Sequence, residues 1–213
     1  ICDDGSVDNT SNVVKSVIQK DKRCKLITND KNLGLANTLN RCLYLSQGEY
    51  VARMDADDIS EKTRLQKQVD FLDANPDIAL VSSHASLFDE NGIYGVRETK
   101  KNPQSKDMLF GPPFIHAAMM MRSDVLRKLN GYRVSKETLR TEDYDLWMRL
   151  YANGFRGSNI EEVLYSIRED KNAYGRRKYK LRFDEAKVRY KGFKSLGLLP
   201  KGYVYIVKPL IVG

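Results

Sequence analysis

Apolar positions recur along the first half of the chain in two alternating rhythms. Val13, Val14, Val17 and Ile18 lie at helical spacing behind the N-cap candidates Asp8, Asn9 and Thr10. Lys25–Thr28 is a short strand pattern, and 29–34 is polar. Leu35, Leu39, Cys42 and Leu43 return to helical spacing, with Gly48 as a C-cap. Tyr50, Val51, Ala52 and Met54 have strand character. A helix beginning near Ser60 follows, carrying Leu65, Val69 and Leu72 on one face and ending at Asn75-Pro76. Ile78–Ser83 is apolar and β-prone. Such strand–helix alternation predicts an α/β fold with a parallel sheet, whose ligands sit beyond the carboxyl ends of the strands.

The second half is less regular. Gly and Pro punctuate 87–113 and predict loops with a hairpin. Phe114–Arg122 has a strand pattern, and Ser123 caps a helix with Val125, Leu126 and Leu129. Thr141 is an N-cap, Glu142 and Asp143 fill the first turn of the next helix, and Leu146, Trp147 and Leu150 form its apolar face. No internal repeat or low-complexity segment interrupts the pattern. Ile1-Cys2 has the character of a strand end, so the native protein is expected to extend further on that side.

A chain of 213 residues with 41% hydrophobic and 30% charged residues suits one globular domain with a tail. Cys2, Cys24 and Cys42 have neither disulfide nor zinc-knuckle spacing, which fits a reducing cytosol. No apolar run is long enough to span a membrane. The charge is uneven: residues 171–213 hold 12 Lys and Arg against Asp184 and Glu185, a net +10 within a total of +8. The tail therefore either meets an anionic partner or presents a solvated basic face. Phe183, Ala186, Tyr190 and Phe193 share one helical face. After Leu199-Pro200, residues 203–212 are aromatic and aliphatic beside Lys201 and Lys208. This face either binds an anionic membrane surface or packs on the body of the protein. No helix-turn-helix, RNA-binding signature or zinc motif supports a nucleic-acid partner.

The candidate chemistry lies in acids. Asp55, Asp57 and Asp58 end the Tyr50 strand, where unpaired carboxylates have little structural purpose. They either hold a divalent cation, Mg²⁺ or Mn²⁺, or form a solvated turn. Asp3 and Asp4 occupy the same predicted sheet edge. Glu142 and Asp143 also satisfy the ordinary preference of a helix start. His116 is a lone histidine in an apolar strand, and Arg168 suits either a diphosphate contact or a surface ion pair.

Asp3-Asp4-Gly5-Ser6, Asn32-Leu33-Gly34-Leu35, Met54-Asp55-Ala56-Asp57-Asp58, His116 before the Met run, Gly131-Tyr132 and Glu142-Asp143-Tyr144-Asp145-Leu146-Trp147 occur in an order that resembles the family-2 glycosyltransferases. The likeness is to bacterial enzymes of surface-polysaccharide synthesis and covers about residues 1–170. It implies a GT-A fold (Rossmann-like, a mostly parallel sheet flanked by helices) whose first strand and helix would precede Ile1. Residues 1–170 would form the catalytic domain and 171–213 a basic helical tail.

The resemblance further implies an inverting transfer from a nucleotide-sugar, usually a UDP-sugar, to a saccharide or lipid-linked acceptor, with Mn²⁺ or Mg²⁺ as cofactor. Asp4 matches the uracil-contacting position, with Asp3 beside it. Asp55 matches the ribose-facing acid and Asp57 the metal ligand, with Asp55 as a further ligand and Asp58 in support. Asp143 matches the base, and His116, Glu142 and Arg168 would line or support the site. Cytoplasmic placement, at the inner face of the cell membrane through the tail, would suit a lipid-linked acceptor. A sugar nucleotidyltransferase would carry a Gly-rich phosphate loop near its first strand. A non-catalytic nucleotide-binding module would have no use for Asp57 and Asp143 together.

Overall fold

The computed structural model describes residues 1–169 and 179–211; the expected boundary at 170/171 and the basic residues 171–178 lie outside them. The elements are β1 (Cys2–Asp3), α1 (Thr10–Ile18), β2 (Ile27–Thr28), α2 (Leu35–Leu45), β3 (Tyr50–Ala52), β4 (Ile59–Ser60), α3 (Arg64–Ala74), β5 (Ile78–Asp89) and β6 (Gly92–Arg97). They continue with β7 (Met120–Arg122), α4 (Ser123–Lys128), α5 (Glu142–Ala152), β8 (Arg156–Arg168), α6 (Tyr179–Ser195) and α7 (Tyr203–Ile211).

β5 is the hub. It lies between β7 and β8 in the order β3-β7-β5-β8-β4, and its far end forms a hairpin with β6. Adjacent residues of β5 point to opposite faces, so Leu80 and Val81 enter different cores. On one face Val81 and Met120 pack with Leu72 of α3. On the other, Leu80 and Met121 join Leu126 of α4 and Leu146, Trp147 and Leu150 of α5. The expected apolar face of α5 is fully buried.

Pairing is less parallel than the strand–helix alternation predicts. β1 pairs with β2 and β5 with β8 in parallel, while β3–β7, β4–β8, β5–β6 and β5–β7 are antiparallel. The antiparallel pairs arise where the chain returns through irregular segments instead of helical crossovers. β8, the long partner of β5, had no clear sequence signature because charged Glu161 and Glu162 interrupt its apolar pattern.

Several local expectations shift. Residues 114–119 are not strand: His116–Ala118 form a 3-10 turn before β7. α3 starts at Arg64, preceded by the short strand β4. Its buried face carries Arg64, Gln68 and Leu72, whereas Leu65 is exposed. The polar face has a purpose. Gln68 donates to the Ala118 carbonyl at 2.7 Å, and Arg64 donates to the carbonyls of Arg53 at 3.0 Å and Ala117 at 3.3 Å. Those carbonyls sit where the backbone leaves regular pairing and would otherwise be buried without partners. Ser46, not Gly48, caps α2, and the α1 stripe buries no residue fully.

The tail helix α6 packs on α5. Ala186, Val188 and Phe193 are buried, and Val188 and Phe193 belong to the main core. Gly192 allows the approach: a Cβ there would meet Met148 Sδ at 2.0 Å. Phe183 and Tyr190, expected on the same face, are exposed, because the α6 contact turns toward Gly192 and Arg189. Among the described residues no helix is long and apolar enough to cross a membrane.

Candidate active site

Three acidic groups predicted from the sequence meet different environments. Asp3 ends β1 and is buried. Its Oδ1 accepts the Ser6 N–H at 3.0 Å, and its Oδ2 is buried with no hydrogen-bond partner among the described residues. Asp4 is fully engaged. Its carboxylate accepts the Asn29 side-chain N–H at 2.7 Å, the Leu33 N–H at 2.8 Å and the Gly34 N–H at 2.9 Å. Burial raises the pKa of Asp4, but these donors outweigh it and hold the group below the usual carboxylate range. Gly5 makes this closure attainable: its φ is 74°, and a Cβ would come within 2.6 Å of the Lys31 backbone.

The second group follows β3. Arg53 is buried and donates from Nη2 to Asp55 Oδ1 at 2.5 Å. The Asp55 N–H donates to the Tyr165 hydroxyl at 3.0 Å. Asp58 is buried and accepts the Arg168 N–H at 2.8 Å, tying the acidic turn to the end of β8. Burial pushes its pKa up. The Arg168 side chain lies over the Phe88 ring at 5.5 Å, so its backbone and not its guanidinium supports the turn. Asp57 is exposed.

The third group opens α5. Asp143 Oδ1 accepts the Tyr144 N–H at 2.7 Å. Burial, followed by the charge of Glu142, pushes the Asp143 pKa up to about 6; Arg53 and the Tyr144 N–H oppose them. Asp145 turns away and pairs with Arg133 at 2.8 Å and Arg149 at 2.7 Å. His116 Nε2 lies 2.8 Å from the Tyr132 hydroxyl, and its ring meets Trp147 edge-on at 5.8 Å between centroids. Burial and then Arg53 hold the His116 pKa well below its ordinary value, so the imidazole is neutral.

Asp143 bounds two clefts, and Arg53 and His116 line one of them, whereas Asp3, Asp4, Asp55, Asp57 and Asp58 line neither. One, of about 400 Å³, is lined by Arg53, Thr99, Phe114, His116, Asp143 and Ile167 among others. The other, of about 300 Å³, lies between α5 and α6 and includes Phe110, Arg140, Asp143, Arg182 and Arg189. Asp143 and Pro112 line both. The sequence did not single out Arg53 or Tyr165. An arginine inside an apolar strand, one residue from the acidic run, was the available signal, since a buried charge demands a partner.

Residues 1–129 match the family described as Glycosyl transferase family 2. The chain belongs to glycosyltransferase family 2. It is 42% identical over 212 residues to the putative glycosyltransferase EpsE of Bacillus subtilis (strain 168), covering 99% of this chain and 76% of that protein. It is 32% identical over 198 residues to the Escherichia coli UDP-Gal:alpha-D-GlcNAc-diphosphoundecaprenol beta-1,3-galactosyltransferase, covering 90% of this chain and 70% of the relative. The structure of Staphylococcus aureus TarS 1-349 with UDP-GlcNAc superposes with a TM-score of 0.72 at 18% identity, over 98% of this chain and 60% of TarS 1-349. The glycosyltransferase thus has the GT-A α/β fold, and its family includes enzymes that build polysaccharides.

The chemistry of the acidic turn is compatible with the metal that the family implies. Among the described residues no three His, Cys, Asp or Glu side chains gather into a protein-only metal cage. Mg²⁺ and Mn²⁺ do not require one, because they bind through one or two carboxylates and complete their shell with water and phosphate. Exposed Asp57 and the second oxygen of Asp55 would be such a donor set.

Proposed function

We propose that this glycosyltransferase is an inverting enzyme. It would move a sugar from a nucleotide-sugar, a UDP-sugar by our reading, to a saccharide or lipid-linked acceptor of a surface polysaccharide. The carrying observation is Asp143: it lines both clefts and has a pKa near 6. A group there touches donor and acceptor together and is ionised at neutral pH, as a general base requires.

In this reading the cleft beside Arg53 and His116 holds the donor sugar, since Arg53 connects it directly to Asp55. Asp143 takes the proton of the acceptor hydroxyl as that oxygen forms its bond to the anomeric carbon. The bond from that carbon to the phosphate oxygen breaks on the opposite side, and the nucleoside diphosphate leaves. One displacement inverts the configuration. Asp57 and Asp55 would hold Mn²⁺ or Mg²⁺, which supplies positive charge to the departing diphosphate. Neutral His116, held by Tyr132, adds no positive charge beside Asp143 and so leaves it basic. The carboxylate of Asp4 is engaged by the 29–34 loop, so Asp3, whose second oxygen has no partner among the described residues, would be the acceptor for a base N–H beside it.

Incubation with a panel of nucleotide sugars and Mn²⁺, with and without chelator, tests the reading. Metal-dependent release of one nucleoside diphosphate is expected, and a product with inverted anomeric configuration. Retention of configuration would remove Asp143 as the sole base.

Contact with the cytoplasmic membrane surface is part of the proposal. α7 exposes Tyr203, Val204 and Val207 beside Lys208. Basic and apolar side chains on one face suit an anionic interface, each cation contributing about 1 kcal/mol. Co-sedimentation with phosphatidylglycerol vesicles, reversed by high salt and weakened by Val204→Asp, is expected. Equal sedimentation of parent and variant would remove α7 as the contact.

A further inference from the structure

Resting on the transferase reading above, we propose that the cleft between α5 and α6 binds a diphosphate joined to an aliphatic lipid, the anchor of the acceptor, through Arg140 and Arg182.

The three arginines of this cleft differ. Arg189 is committed to the fold: it pairs with Glu185 at 2.9 Å, and its guanidinium lies over the Tyr144 ring at 5.2 Å. Arg140 and Arg182 line the same cleft and make no ion pair or side-chain hydrogen bond among the described residues. Arg140 also has φ of 69°, a conformation that side-chain-bearing residues seldom adopt. It immediately precedes the turn that presents Asp143. Against the carboxylates of Asp143 and Glu185 the three arginines leave the cleft with net positive charge, and the two guanidiniums without a partner among the described residues suit phosphate oxygens.

Besides the arginines, the wall carries Asp143, Thr141, Tyr144 and Glu185, which is engaged by Arg189, and an apolar side made by Phe110, Pro112, Leu139 and Leu181. Phe110 is 64% exposed and Leu139 57% exposed, Pro112 is exposed beside them, and Leu181 is half-buried. Large exposed apolar side chains next to cations that have no partner among the described residues suit an amphiphile with an anionic head. Phe110 also meets Tyr205 of α7 edge-on at 5.2 Å. The apolar side of the cleft therefore continues toward the exposed residues of α7. A lipid leaving the cleft in that direction would reach the same surface that α7 offers to the bilayer. The saccharide on the other side of the diphosphate would meet Asp143. Part of the positive charge of the tail is then directed at the site, because Arg182 belongs to α6.

Farnesyl diphosphate is a soluble probe for this site, with farnesol, inorganic diphosphate and UDP as companions, each titrated against the full chain by calorimetry. Saturable binding of farnesyl diphosphate is expected, with farnesol and inorganic diphosphate each weaker. Arg140→Ala and Arg182→Ala should each weaken it about tenfold or more, Arg182→Lys should restore part of the loss, and UDP affinity should not move. Retained farnesyl diphosphate affinity in both alanine variants overturns the proposal, as does competition by UDP, which would give the cleft to the donor. Inorganic diphosphate binding as tightly as the lipid would overturn the lipid half. Arginine-dependent binding in a protein that transfers sugar from no donor would uphold the cleft and remove only the transferase reading.

Discussion

Asp4 and Asp143 are both carboxylates at the edge of a helix, and the fold treats them in opposite ways. Asp4 lies before α2 and is surrounded by donors from Asn29, Leu33 and Gly34. Its charge is satisfied and its pKa is lowered. Asp143 lies in the first turn of α5 with one backbone donor, a half-buried, desolvated setting and an acidic neighbour, and its pKa climbs to about 6. Asp4 stabilises the loop that surrounds it. Asp143 costs stability at neutral pH and keeps affinity for a proton. An acid at a helix start is thus a structural anchor when N–H groups converge on it, and a reactive base when they do not.

The largest expected effect comes from removing the reactive acid. Asp143→Asn should lower sugar transfer by about 10²-fold or more while leaving UDP affinity within a factor of two. Initial rates and a UDP titration check both halves. Parental transfer rates in this variant would reassign the base.

Next in size is Asp57→Ala, which keeps both helix starts intact. Donor affinity with Mn²⁺ should fall to the level the parent shows with chelator, a loss of about tenfold or more. Metal-dependent binding that survived would place the cation elsewhere.

The comparison is sharpest in stability, where the two acids carry opposite signs. The lowered pKa of Asp4 means its contribution is present above the unfolded carboxylate range and is lost as pH falls through its folded value. Asp4→Asn should therefore destabilise the fold by about 1–3 kcal/mol at pH 7 and less at pH 3. The raised pKa of Asp143 works the other way: its contribution is complete below the unfolded value and is lost as pH rises through 6. Asp143→Asn should stabilise by about 2 kcal/mol at pH 8, with the gain gone near pH 3. Urea unfolding at the two pH values would show whether the signs differ.

The smallest effect concerns the neighbour of the base. Activity should fall below pH 6 as Asp143 takes up its proton. Glu142→Gln removes the like charge and should move that acidic limb to lower pH by less than about one unit. An unmoved limb would leave burial alone as the cause of the shift.

Periodicity along the chain was enough to determine α2, α5 and the strand before the acidic run, because each has a local apolar pattern, although the end of α2 came at Ser46 and not at Gly48. The order of Asp3-Asp4-Gly5, Asp55-Ala56-Asp57-Asp58 and Glu142-Asp143 was likewise sufficient for the family. Residue type limits what an acid can do, but its surroundings decide what it does. Only the tertiary structure brought Leu33, Gly34 and Asn29 around Asp4, and it left Asp143 between two clefts. It also turned the polar face of α3 inward, since irregular backbone at 115–119 offers carbonyls that only distant donors satisfy. The direction of α6 had the same origin. Local pattern selected a face through Phe183, Ala186, Tyr190 and Phe193, of which only Ala186 and Phe193 are buried; Gly192, fitting closely against Met148, set the actual contact. Hydrophobic rhythm is a property of neighbours in sequence, whereas desolvation and hydrogen-bond supply depend on neighbours in space.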